Sequence, residues 1–166
     1  MATFLIAGSR YGVRTTHVVE AIDRQNITAV PGMPDWVRGC IIYQDQAISV
    51  FDLSAMLPGR APLRTAGQIV VLYVAEYQAK FGILVDELGD IPEIPSSRID
   101  PIPAMMGRSG QALTESLVKP LPHSNERILI MLSAEAILRR LTGVAASEVG
   151  DEAEMQPRLE VRYGVE

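Results

Sequence analysis

The chain has 166 residues, 48% of them apolar and 21% charged, with one cysteine and a formal net charge of −5. That apolar content supports a real core and excludes a disordered chain, while the lone cysteine excludes an internal disulfide and fits a reducing cytoplasm. No apolar run approaches the roughly 18 residues of a membrane span.

The charge is unevenly placed: residues 143–166 hold six acids and two bases, leaving the body before them near neutral. A near-neutral body without a basic stripe argues against a nucleic-acid binder, which must neutralise phosphates. Met1 to Gly8 lacks the basic n-region of a signal peptide.

In chain order, Phe4 to Ala7 reads as a short strand. Ser9-Arg10 reads as a turn, and Tyr11-Gly12-Val13 opens the next strand. The periodicity of Val18 to Ile22 fits either a helical turn or a strand. Ile27 to Val30 is strand-like. Pro31-Gly32-Met33-Pro34 is a loop whose prolines forbid regular pairing.

Gly39 to Tyr43, the polar Gln44-Asp45-Gln46 and Ala47 to Phe51 spell a β-hairpin. Asp52 then stands where a helix N-cap is needed. Leu53, Met56 and Leu57 share one helical face, and Pro58-Gly59 stops it.

Gly59 to Gly67 reads as a link between subdomains. Gln68 to Ala75 is the most apolar strand, Glu76 to Ala79 turns, and Lys80 to Leu88 is a second strand with Asp86 satisfying a turn near its end. Ile91 to Pro103 holds four prolines and can run only along a sheet edge or as an extended loop. Met105 to Gly110 reads as mobile, its Met105-Met106 pair folding back on the core. Ala112 to Pro120 and Glu126 to Leu132 form a last hairpin.

Ser133 caps the final helix, with Ala134, Ile137, Leu138 and Leu141 on one face, Arg139 and Arg140 in the last turn, and Gly143 as its stop. Residues 145–157 read as a flexible acidic tail. Leu159 to Val165 alternates with period two, the pattern of a strand that could augment a sheet edge on this chain or on a partner.

The halves echo each other. Ala47 to Leu57 aligns without a gap on Ile128 to Leu138, each strand ending in a capping residue, Asp52 or Ser133. Tyr11-Gly12-Val13 echoes Phe81-Gly82-Ile83. An echo of this kind predicts two similar β-subdomains, each closed by a helix.

No catalytic, cofactor or metal site stands out. A Cys40 nucleophile with His17 or His123 would be needed for a small β-barrel enzyme, but Cys40 lies in an apolar strand, where free cysteine behaves as a buried hydrophobe. Ser9 fails the nucleophile-elbow spacing, and the scattered glycines make no phosphate loop.

The ordered set of Tyr11-Gly12-Val13, Val18-x-Glu20, Val37-Arg38-Gly39, Asp52-Leu53, Phe81 to Leu88 and Ile128 to Leu138 resembles the CheW family, the coupling proteins of bacterial chemosensory arrays. It covers about residues 3–142. The resemblance implies a mainly β fold of two five-stranded β-barrel subdomains packed side by side, with short helices, one near the C-terminal end of the domain. The expected boundaries are a single domain over 1–142, divided into about 1–60 and 61–142, followed by the tail.

It also implies a non-enzymatic cytoplasmic adaptor without cofactor. Its partners would be the regulatory domain of a CheA-type histidine kinase and the cytoplasmic tip of a chemoreceptor. Val18, Glu20, Val37, Gly39 and Gln44 are the partner-binding residues it implies.

The family's hairpin turn is Asn-Leu-Arg-Gly, and here Ile42-Tyr43-Gln44-Asp45 stands in its place. Gln44 replaces the arginine expected near Glu20, so that charge pair is lost. Asp45 replaces the turn glycine, and Asp tolerates the left-handed conformation.

Overall fold

A computed structural model describes residues 1–56, 67–103 and 113–152. Among the described residues, eleven strands form two sheets, and an α-helix follows the last strand. Among the described residues, no helix is long and apolar enough to cross a membrane.

Strands β1 (Ala2–Ile6) and β2 (Ser9–Val13) make the first hairpin. The turn is Ala7-Gly8, both left-handed at φ 48° and 75°, and not Ser9-Arg10, which already lie in β2. A two-residue turn of that hand matches the natural twist of the strands it joins.

The ambiguous Val18 to Ile22 stretch is a strand, β3 (Val18–Asp23). β4 (Val37–Tyr43) and β5 (Gln46–Phe51) form the central hairpin, with Gln44 and Asp45 left-handed at φ 47° and 63°. A short 3₁₀ turn, Leu53–Met56, follows Asp52.

β6 (Gln68–Val74) and β7 (Ala79–Val85) pair antiparallel, and β8 (Glu87–Leu88) and β9 (Ile99–Asp100) are short edge pieces. β10 (Thr114–Val118) and β11 (Leu129–Leu132) make the last hairpin.

The sheet orders show how the halves of the chain are used. One sheet runs β8-β1-β2-β11-β10-β9 and the other β3-β6-β7-β5-β4. Each half therefore lends its first hairpin to the other half's sheet. A boundary near residue 60 is not where the sheets divide, because four strand pairings, β1 with β8, β2 with β11, β3 with β6 and β5 with β7, cross it.

The echo read in the sequence recurs in the pairing. Val50 stands beside Gly82 in a parallel pair, and Met131 stands beside Gly12 in another. These are equivalent residues under the alignment of the halves. Both glycines are sites of close approach. A methyl on Gly82 would lie 2.7 Å from Ile69 Cγ2, and one on Gly12 would lie 2.9 Å from Met1 Sδ.

Asp86 marks the crossing between sheets. Its backbone N–H donates to the Leu5 carbonyl at 2.8 Å, and its carboxylate accepts from the Gly8 N–H at 3.3 Å. The strand read as one over Lys80 to Leu88 is therefore two, one in each sheet.

The largest core lies between the sheets. Phe4, Ile6 and Val13 meet Val70, Leu72, Val74, Phe81 and Ile83 there. The other face of β6, through Ile69 and Val71, packs inside the five-stranded sheet with Ile41, Tyr43, Ile48, Val50 and Leu84. Burial on both faces is why β6 reads as an unbroken apolar run.

The five-stranded sheet also bends back toward itself: Thr28, just after β3, bridges Cys40 on the opposite edge strand. The fold is mainly β with two small curved sheets, as expected, with six and five strands instead of five each.

Helix α1 (Ala134–Glu152) presses Ala134, Ile137, Leu138 and Leu141 into the core between the sheets. Ser133 Oγ accepts from the Ala136 N–H at 3.1 Å, the predicted cap. Gly143 does not end the helix, which continues to Glu152. Arg139 and Arg140 are therefore mid-helix, and residues 145–152 are helical instead of a flexible tail. One glycine costs a helix only about 1 kcal/mol, and its stop needs a left-handed residue there. Leu57 to Gly59, Met105-Met106 and Leu159 to Val165 lie outside the described residues.

Candidate partner-binding surfaces

Two regions hold three of the five contact residues that the resemblance implies. The first is the open end of the five-stranded sheet. Glu20 of β3 is exposed there, and its carboxylate accepts from the Tyr43 hydroxyl at 2.7 Å. Lys80 Nζ lies 5.4 Å from the centre of the Tyr43 ring, within cation–π range. The bond to Glu20 holds the Tyr43 hydroxyl above its ordinary pKa, because losing the proton would place an anion beside a carboxylate. Gln44 is exposed at the adjacent turn. The glutamate that lost its expected arginine is thus held by a tyrosine one residue earlier.

The second region is a groove of about 260 Å³ between the five-stranded sheet and α1. Trp36, Val37, Phe51 and Phe81 face Leu138 and Leu141 across it. The Trp36 and Phe51 rings lie 5.9 Å apart, as do those of Phe51 and Phe81. Asp52 underpins this wall from the core. It is fully buried, and it accepts from the Ser54 N–H at 3.0 Å and the Ser54 hydroxyl at 2.5 Å. It caps the 3₁₀ turn and faces no solvent.

The five expected contact residues therefore separate. Glu20 and Gln44 lie at the open end, and Val37 lines the groove. Val18 packs on the core between the sheets. Gly39 is buried at φ 130°, where an added methyl would lie 2.0 Å from the Thr28 carbonyl oxygen. Its place is a matter of closing the sheet. Sequence reasoning passed over Tyr43 and Lys80 as plain strand residues. The signal that could have found them is the inward phase of β4 and β7, which sends both toward the same end as Glu20.

The histidines are placed elsewhere. His17 directs Nε2 to Glu135 Oε1 at 3.2 Å and Nδ1 to the Tyr73 carbonyl oxygen at 3.2 Å. His123 is exposed in the last hairpin's turn at φ 63°. Cys40 is half-buried on β4. Among the described residues, no group of three or more His, Cys, Asp or Glu could hold a metal ion.

Comparison with known proteins agrees with this architecture. The family model of the CheW-like domain matches residues 1–142. Among solved structures, the chain is similar to the scaffolding protein TtCheW from Thermoanaerobacter tengcongensis. The two share 22% identity with a TM-score of 0.69, over 80% of this chain and 86% of that one. No curated protein matches the sequence.

Proposed function

The chain belongs to the CheW-like domain family, and from that premise we propose that it is a non-enzymatic adaptor of bacterial chemosensory signalling. In this reading it couples the cytoplasmic tips of chemoreceptors to the regulatory domain of a CheA-type histidine kinase. The observation that carries the reading is the family match across residues 1–142.

The two surfaces suit such a role. The groove beside α1 offers aromatic and aliphatic walls of the kind that receive an amphipathic helix. The open end of the five-stranded sheet offers a charged group beside exposed apolar side chains, Val19 and Tyr73 at 42% and 37% exposure. An adaptor needs no more chemistry than this, since it works by holding two partners at once.

Calorimetric titration tests the proposal. The purified protein is titrated with the kinase regulatory domain and, separately, with a receptor-tip fragment, both from the same organism. Micromolar binding to both supports coupling. Binding to neither, from well-folded protein, overturns it in favour of a CheW-like module that serves another regulator, such as a pilus-associated system.

A further inference from the structure

The groove beside α1 lies where the last part of the chain sets out. Leu138, Leu141 and Thr142 of the helix form one of its walls. Its volume of about 260 Å³ is room for one or two side chains, since a cavity of about 150 Å³ admits one benzene-sized group. Such a groove suits an extended segment that sends alternate side chains into one pocket. The chain carries a segment of that pattern. Leu159, Val161, Tyr163 and Val165 alternate with polar or small residues, so in an extended run they share one face.

The reach is sufficient. From Thr142 to Glu152 the helix rises about 15 Å at 1.5 Å per residue. From Glu152 to Tyr163 an extended chain covers up to about 36 Å. Pro157 opposes a helix running on through it. Were α1 to continue to Gln156, it would stand about 21 Å beyond Thr142, and the chain from there to Tyr163 still covers about 23 Å. Charge agrees as well. Lys80 at the groove has no carboxylate partner among the described residues, and residues 153–166 carry three acids against two bases.

We propose that the segment Leu159 to Val165 of this same chain docks in the groove and covers Trp36, with Tyr163 and Val165 as its anchors. A short tether holds such a segment at an effective concentration of about millimolar. A partner present at micromolar levels must then displace it, and its apparent affinity falls with the fraction of molecules whose groove is open. The docking stands apart from the adaptor reading, whereas this competition rests on it and makes the segment a built-in competitor for one of the two partners.

Trp36 is the chain's one tryptophan, so its fluorescence reports on the groove. The full chain is compared with a Tyr163→Asp, Val165→Asp double variant and with Met33→Glu. Met33 lines the groove at 51% exposure, so its side chain can change without disturbing the core. In both variants Trp36 emission is expected to move to longer wavelength and to be quenched more by acrylamide. A synthetic peptide of residues 153–166, added at about millimolar concentration to match the tether, is expected to reverse the change in the double variant but not in Met33→Glu. It is expected to leave the wild type unchanged.

Unchanged Trp36 emission and quenching in the folded double variant overturn the proposal. So does a wild-type spectrum that shifts on dilution, because a second copy would then be the donor of the segment. Should the double variant fail to fold by circular dichroism, the wild type titrated with the peptide decides: a shift to shorter wavelength means an open groove and overturns the docking. The kinase domain and the receptor-tip fragment are then titrated against wild type and double variant. One of them is expected to bind the variant about tenfold more tightly, as for a groove closed in about nine molecules of ten. Equal affinities with the Trp36 difference intact overturn the competition and leave the docking. Binding of neither partner to either protein overturns the adaptor reading and leaves the docking standing.

Discussion

Replacing Gly39 by alanine isolates the device that closes the five-stranded sheet. Gly39 holds φ 130°, and a methyl there would sit 2.0 Å from the Thr28 carbonyl oxygen. Thr28 and Cys40 exchange two backbone hydrogen bonds of 2.9 Å across this point. The substitution must therefore pay backbone strain of about 1–3 kcal/mol and lose two hydrogen bonds of about 1 kcal/mol each. A total of roughly 3–5 kcal/mol is a large share of the 5–15 kcal/mol that stabilises a typical domain. At this chain length the melting temperature should fall by about 10 °C, since each kcal/mol shifts it by about 2–4 °C.

Urea and thermal unfolding followed by circular dichroism measure the loss. Gly32→Ala is the control: Gly32 is also left-handed at φ 77°, but nothing lies within 4 Å of an added methyl. It should cost only the conformational term, about 1–2 kcal/mol. A Gly39→Ala loss below about 1 kcal/mol, or one no larger than the control's, would refute the steric argument.

The two equivalent glycines should differ. Gly82→Ala pushes on a β-branched core side chain and is expected to cost about 1–3 kcal/mol, whereas Gly12→Ala meets flexible methionine sulfurs and should cost less; equal losses in urea unfolding would contradict this. Ile137→Ala empties a fully buried site between the sheets and should destabilise by about 2–5 kcal/mol, against about 1 kcal/mol for loss of the cap in Ser133→Ala. The last prediction concerns pH. Burial pushes the Glu135 carboxyl up, but its own backbone N–H, the charge of His17, the Ser133 hydroxyl and Arg139 outweigh burial and hold it below its ordinary 4.5. A depressed carboxyl stabilises the fold above its unfolded pKa, and that contribution is lost as pH falls through the folded value. Glu135→Gln should therefore flatten the fall in stability below about pH 4.5, and identical acid limbs in the two proteins would count against it.

Much of the fold was legible because its causes are local. Alternation marked the strands, Ser133 and Asp52 announced caps, and the Gln44-Asp45 turn could be assigned to its hairpin. The echo between Tyr11-Gly12-Val13 and Phe81-Gly82-Ile83 pointed to two similar subdomains, and the structure adds that both glycines sit at equivalent close approaches. The misreadings were local as well. Ala7 is an unusual residue for a left-handed turn, so the sequence points to Ser9-Arg10, two residues beyond the true turn. Gly143 resembled a stop signal, yet a glycine ends a helix only when its own backbone leaves the helical region.

The candidate site was legible only in part. Glu20 and Gln44 could be named from the sequence, and both lie at the open end of the sheet. Tyr43 and Lys80 could not be tied to Glu20, because the tie depends on a one-residue bulge at Val19, and nothing in Val-Val-Glu-Ala announces it. Gly39 was legible only as part of a motif, and its role as a closure point was not, since the clash that demands glycine comes from Thr28, eleven residues earlier in the chain.

The sequence by itself thus determined which segments pair locally, which faces are apolar and where helices begin, since these follow from neighbours within a few residues. Only the tertiary structure decided that each half gives its first hairpin to the other's sheet, that β6 is buried on both faces, and that Tyr43 holds Glu20. Those outcomes rest on contacts between segments far apart in the chain, where small differences in strand register and burial select one pairing from several with the same pattern.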